Sequence, residues 1–311
     1  PYQCAFSYGA TYQYYLYDGT LRARQFYMGE VSSASVNGTG ELIQNGGVVE
    51  AGYWSTDFIV GYSANQTSRY YLRGGRFEMP DFANDGKQKA VLVANEGTGL
   101  LEVSGSGVMS APYVCLCSWL SNNTRPVGEV RLLTGGRIET RRLGVLGTGC
   151  TGGTVLLDGG TLQLRSFGGQ KPEDQAIRNL ANLYVGVNGF TLEIDDDASS
   201  AAQPFTAAPN QTAPVYDRAA WRTAPAFVKK GTGTFTLRGA NAYRCATAVE
   251  AGTLALAAGA SLPEDAVVRV DAGATLDLGA TPATVKLLAG AGAVRGDVTV
   301  TDALAADAVS L

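Results

Sequence analysis

A short unit recurs through the whole chain: an alternating apolar strand, a turn that ends in glycine, and a second alternating strand. Its clearest copies lie between Phe227 and Val300, where Gly233, Gly252, Gly273 and Gly292 are separated by 19, 21 and 19 residues. That spacing is too short for separate domains and suits successive coils of one solenoid, in which each repeat buries its apolar side against its neighbours. Toward the start of the chain the same unit recurs as YYLYDGTLRAR, ELIQNGGVVEA, RYYLRGGRFEM, LEVSGSGVMSA, VRLLTGGRIET, TVLLDGGTLQL and YVGVNGFTLEI. The marker glycines are therefore Gly19, Gly47, Gly75, Gly107, Gly136, Gly160, Gly189, Gly233, Gly252, Gly273 and Gly292. The later intervals are the shorter ones, so the coils contract toward the C-terminus.

The side chains after each marker keep register. Two residues on stand Leu21, Val49, Phe77, Met109, Ile138, Leu162, Phe235, Leu254 and Val294, and four residues on stand Ala23, Ala51, Met79, Ala111, Thr140, Leu164, Leu237 and Leu256. Strand side chains alternate with period two, so both rows face inward. The row between them, Arg22, Glu50, Glu78, Ser110, Glu139, Gln163, Thr236, Ala255 and Arg295, is largely polar and faces water. After Gly189 and Gly273 the pattern slips by one residue and Leu192 and Leu276 take the inward place, as a bulge or a longer turn allows. The pattern predicts an all-β, single-stranded parallel β-helix of about eleven coils, roughly 50 Å long at an interstrand spacing of about 4.8 Å. A meander of hairpins is the competing reading, because Asn-Gly and Asp-Gly favour type I′ turns. It leaves the repetition of the apolar rows at coil spacing unexplained.

Departures from the repeat divide the chain into four regions. Residues 1–30 form a Tyr-rich N-terminal coil or cap, 31–194 the long coils, 195–226 an Ala/Pro-rich excursion, and 227–311 the compact coils. The tyrosines of the first region read as packing and capping groups or, where exposed, as an assembly or sugar-stacking surface. Lys171 to Leu183, KPEDQAIRNLANL, reads as a short helix, with Pro172 in its first turn and Ile177, Leu180 and Leu183 on one side.

The stretch KKGTGTFTLRGANAYRCATAVEAGTLALAAG, from Lys229 to Gly259, resembles the autotransporter-associated β-strand repeat, also called the passenger-associated transport repeat. VDAGATLDLG and LAGAGAVRG continue the likeness to Val300. The resemblance implies a right-handed parallel β-helix passenger, exported to the extracellular surface of a Gram-negative-type bacterium. It transfers no catalytic residue, since that family shares none. Arg244 and Cys245 stand where the family has small residues. No membrane β-barrel follows Leu311, which implies a cleaved passenger or a relative with another export route.

The chain has no histidine, which removes the Ser-His-Asp and Cys-His pairings and every His-based metal site. Its net charge of −4, without a long basic run, argues against a nucleic-acid partner. No run of apolar residues is long enough to span a membrane as a helix. Glu50 and Glu78 occupy equivalent outward positions on adjacent coils, about 5 Å apart, the carboxylate separation of a retaining glycosidase. The same ladder offers oxygen ligands for Ca2+, and its plain reading is a solvated stripe beside Arg22, Arg76 and Arg137. Asp195, Asp196 and Asp197 offer oxygen ligands for Ca2+ but lack the glycine and distal acid of an EF-hand loop and read instead as a polar turn, and Gly147 to Gly153 lacks the lysine and helix of a phosphate loop. Of the five cysteines, Cys115, Cys117 and Cys150 are spaced for a bond between neighbouring coils, or for plain burial as small apolar groups inside the coil. These readings combine into a non-enzymatic extracellular surface protein, structural or adhesin-like, without a cofactor. Its expected partners are copies of itself or an extracellular glycan or protein, and a polysaccharide lyase or hydrolase acting through Glu50 and Glu78 is the alternative.

Overall fold

The computed structural model describes residues 3–6, 11–23, 25–29, 37–51, 58–79, 89–116, 126–145, 153–195, 197–211 and 223–302. The chain visits three faces in rotation. Its first coil runs through Gln3–Phe6, Tyr12–Leu16 and Thr20–Ala23, and its second through Gln25–Met28, Gly38–Gln44 and Val48–Ala51. Each of these strands pairs in parallel with the strand one coil on. Repetition builds a seven-stranded first face, an eight-stranded second face and an eleven-stranded third face. The architecture is an all-β parallel β-helix, and the eleven strands of the third face match the eleven coils expected from the glycines. No described strand pairs with its neighbour in sequence, so the hairpin meander does not occur.

The marker glycines form a hydrogen-bonded column. As far as Gly160 the N–H that follows each one donates to the carbonyl of the marker one coil earlier: Val48 to Gly19 at 2.8 Å, Arg76 to Gly47 at 3.0 Å, Val108 to Gly75 at 3.1 Å, Arg137 to Gly107 at 3.0 Å and Thr161 to Gly136 at 2.9 Å. At Gly75 the backbone φ is +75°, and a Cβ there would lie 2.3 Å from the Gly47 carbonyl oxygen. Both the left-handed conformation and the close approach of the coils exclude a side chain at that corner.

The inward rows are buried as expected, except that Leu21 in the first coil is only partly buried. On the third face Val49, Phe77, Met109, Ile138, Leu162 and Leu192 are consecutive register partners and fully buried. The column then does what the glycine spacing did not suggest. The next strand of this face is Ala226–Lys230, which lies before Gly233, and Leu192 is paired with Lys229. Phe235, Leu254, Leu276 and Val294 are inward and mutually paired, but on a separate five-stranded sheet that starts at Ala198–Ser200. In the first seven coils the glycine turn precedes the third-face strand, and in the last four it follows it. The single ladder read from sequence is thus two ladders on two faces, because a strand-Gly-strand unit carries no mark of which corner it turns.

The change of corner accompanies a change of cross-section. The first face ends at Ile177–Arg178, and a bridge from Ile177 to Ala201 joins it to the new sheet. The second face ends at Thr206–Ala207 and continues only as the bridges Thr206 to Ala242 and Ala240 to Ser261. The segment 195–226 therefore contributes two short strands to the coil, although residues 212–222 lie outside the described part.

The helix expected over Lys171 to Leu183 is absent. Asp174 and Gln175 form a turn, Ile177–Arg178 is a strand of the first face, and Asn182–Val185 is a strand of the second. Ile177 and Leu183 both point inward, but from two different strands, so their spacing mimicked a helical stripe. Strand pairing with Leu143 and Val155 overrides a local helix propensity worth only tenths of a kcal/mol per residue.

Packing inside the first coils is aromatic. Phe58 lies 4.7 Å from Phe26 and 4.8 Å from Phe77, centroid to centroid, and Tyr70 joins the same cluster. Phe77 is completely buried between coils. Its replacement by alanine is expected to cost about 3–5 kcal/mol in urea denaturation without changing the strand signal in far-ultraviolet circular dichroism.

Candidate functional site

The outward row of the third face places the two candidate carboxylates as sequence suggested. Glu50 and Glu78 are register partners on adjacent strands. Each is held by an arginine: Arg22 Nε lies 2.5 Å from Glu50, and Arg76 contacts Glu78 from two residues away on the same strand. Residues i and i+2 share a strand face, so a long guanidinium folds onto the following carboxylate. The same device repeats at Arg137 and Glu139 and, in the reverse order on the second face, as a two-point contact of Arg131 with the preceding Glu129 at 2.7 and 3.1 Å. The acids are thus interleaved with cations in a continuous stripe. Among the described residues no group of three or more Cys, Asp or Glu is placed to hold a metal ion.

Glu139 is the centre of this stripe. It is 8% exposed and meets three guanidinium groups, Arg165 at 3.0 Å, Arg137 at 3.3 Å and Arg76 at 3.4 Å. Burial raises its pKa, and the three arginines more than offset that, leaving the carboxyl below its ordinary value. Ser110 fills the same position one coil earlier, and the shorter side chain makes room for Arg165, which also donates to Ser110 Oγ at 3.1 Å.

The other sequence candidates lie apart from this stripe. Cys115 is buried on the outside of the first face with Ile59 and Leu92, not inside the coil. Cys117 and Cys150 lie outside the described residues. Cys245 is a free thiol in the interior, and burial pushes its pKa up to about 12. Asp197 pairs with Lys171 at 2.7 Å, and Asp196 is outside the described part.

The polar groups that sequence reading did not weigh are inside the compact coils. Lys229 takes an inward position between Leu192 and Val249 and is fully buried. Its ammonium donates to the carbonyls of Lys230 at 2.7 Å, Gly231 at 2.8 Å and Ala251 at 3.2 Å. The first two belong to one corner and the third to the corner of the next coil, so the side chain ties two coils together from within. Burial lowers its pKa to about 8, with Asp195 and Glu193 acting in the opposite sense. Asn241 makes a second tie: its amide donates to the carbonyls of Gly239 and Ser261 at 3.2 and 2.9 Å, and its oxygen accepts from the Phe205 N–H at 3.0 Å. A third is the bond of 2.7 Å between Tyr243 Oη and Thr247 Oγ1. Around them Phe190, Phe205, Phe227, Phe235 and Tyr243 fill the interior, with Phe190 stacked on Phe227 at 4.7 Å and 6°. Lys229 and Asn241 stand in the stretch KKGTGTFTLRGANAY, and a lysine two residues after Phe227, at the inward phase of an alternating strand, was the available signal.

These ties lie inside the part of the chain that has recognisable relatives. Residues 227–256 match the family model of the passenger-associated-transport-repeat. No curated protein and no solved structure matches the chain. The matched segment covers two successive strand-Gly-strand corners, including Lys229, Asn241, Tyr243 and Thr247.

Replacing Lys229 by methionine leaves three corner carbonyls without their donor and is expected to cost about 1–3 kcal/mol at neutral pH. The folded protein holds this lysine at about pH 8, below its unfolded value. Between the two values the unfolded chain binds more protons, so Lys229 adds stability as pH rises, by at most about 1.4 kcal/mol per unit. Urea denaturation from pH 7 to pH 10 is expected to show the advantage of wild type over Lys229→Met widening above pH 8. Glu139 acts in the opposite range, since its depressed pKa gives stability that is complete above the unfolded carboxylate value and lost as pH falls through the folded one. Glu139→Gln is expected to lower stability by about 2 kcal/mol at pH 7, and by progressively less below about pH 4.

Proposed function

We propose that this chain is an extracellular surface protein of a Gram-negative-type bacterium, a β-helical rod with a structural or adhesin-like role and no catalytic activity. The match of residues 227–256 to the passenger-associated-transport-repeat carries the reading, because it falls on the compact coils that complete the described rod. Two further observations support it. The acids of the third-face stripe are neutralised by arginines and form part of the fold's own charge pattern. Tyr14, Tyr15 and Tyr17, at 39, 47 and 68% exposure, give the first coil a contact surface suited to a second copy or to an external partner.

No described helix is long and apolar enough to cross a membrane. The chain's position outside the cell is tested directly by proteolytic shaving of intact cells that express it, followed by mass spectrometry of the released peptides. Recovery of peptides from the rod is the expected result, and their confinement to lysed cells overturns the reading. The non-catalytic role is tested by incubating the purified protein with a panel of acidic and neutral polysaccharides. No turnover is expected. Depolymerisation that disappears with Glu50→Gln or Glu78→Gln would replace the present reading with that of a lyase or hydrolase.

A further inference from the structure

On its outer side the third face carries a charged stripe and is recessed beside Val228. Thr191, Val228 and Ala248 are successive register partners in one outward row, followed by Arg269. Together with Ala246 these small side chains floor a groove of about 310 Å³, walled by the segment Thr223 to Pro225 and rimmed by Glu250 and Arg269. That volume is at the small end of ligand cavities.

The chemistry of the rim restricts what fits. Glu250 pairs with Lys230 at 3.2 Å and with Arg269 at 2.9 Å, and Arg269 also pairs with Asp271 at 3.0 Å. Two cations and two carboxylates balance, so an anionic ligand gains Arg269 only by displacing an acid that already holds it. An extended peptide has no strand edge to join, because the floor strands are paired on both sides within the sheet. What fits is a compact, uncharged molecule with an apolar face for the half-buried Val228 beside the nearly buried Ala246 and Ala248, and a hydroxyl edge for the Glu250 carboxylate and the Thr191 hydroxyl. A pyranose ring has that division.

We propose that this groove binds a neutral oligosaccharide through one or two of its rings. The proposal rests on the extracellular reading above and gives it a ligand class. Isothermal titration of the intact protein with cellotriose, maltotriose and tri-N-acetylchitotriose, set against trigalacturonate and 3′-sialyllactose, tests it. At least one neutral trisaccharide is expected to bind with a Kd of about 1 mM or tighter, ahead of both acidic probes. Ala248→Phe fills the floor and Glu250→Gln removes a charged acceptor from the rim, and each is expected to weaken binding roughly tenfold. Glu129→Gln, on the second face, is expected to leave it unchanged. Should Ala248→Phe disturb folding, seen as a lowered Tm, Glu250→Gln decides alone. Absence of binding by all three neutral probes, equal or tighter binding of an acidic probe, or wild-type affinity in Glu250→Gln overturns the proposal. These outcomes are separable from failure of the surface reading, because the shaving of intact cells reports location whether or not a sugar binds.

Discussion

Hydrogen bonding between successive coils sets their spacing at about 4.8 Å, and every other feature of this protein accommodates that short repeat. Each position of one coil lies directly on the equivalent position of the next, so a residue is selected for what it stacks on as much as for its own burial. Apolar side chains satisfy this easily, which is why the inward rows are made of Val, Leu, Ile, Met and Phe. At the corners the same closeness leaves space for the backbone alone, and the glycine column from Gly19 to Gly160 is the result.

Polar and charged groups meet the constraint by pairing across coils. An acid repeated every coil would place like charges within about 5 Å, a cost that rises sharply where water is partly excluded. The third face, where Glu50 and Glu78 do stack on adjacent coils, offsets this with a guanidinium for each acid, Arg22 for Glu50 and Arg76 for Glu78, and Glu139 draws on arginines of three different strands or turns. Inside the coil the rule is stricter, since a buried donor or acceptor without a partner is costly. Gln44 fulfils it by taking the Tyr70 hydroxyl at 2.5 Å and donating to the carbonyls of Gly47 and Arg76. Lys229 and Asn241 fulfil it by binding the corners of consecutive coils.

Alternation and glycine spacing were sufficient to read the fold class, the coil number and most inward positions from sequence, because period two and stacking leave little freedom. Three features were not legible for identifiable reasons. The strand-Gly-strand unit is the same whichever corner it turns, so the passage from Leu192 to Lys229 was hidden behind the more regular Phe235. Ile177 and Leu183 belong to two strands whose separation happens to copy a helical stripe. The outward burial of Cys115 with Ile59 and Leu92 depends on how the first face is covered, and strand periodicity carries no information about that. Of the candidate site, Glu50 and Glu78 were placed correctly as neighbours, while the groove beside Ala248 was invisible, since small residues in a strand look like weak signal instead of an opening.

A coil of this kind touches only the coil before it and the coil after it, so its contribution to stability is local. Drawn out from either end, the rod would come apart one coil at a time, each step taking the work stored in a single interface. That work is not uniform. Where the cross-section changes, stacked aromatic rings and the ammonium of Lys229 add to the backbone bonds of one short stretch. Resistance to such unwinding is therefore expected to be uneven along the rod, higher at this stretch and at the aromatic cluster of the first coils than at the aliphatic coils between them.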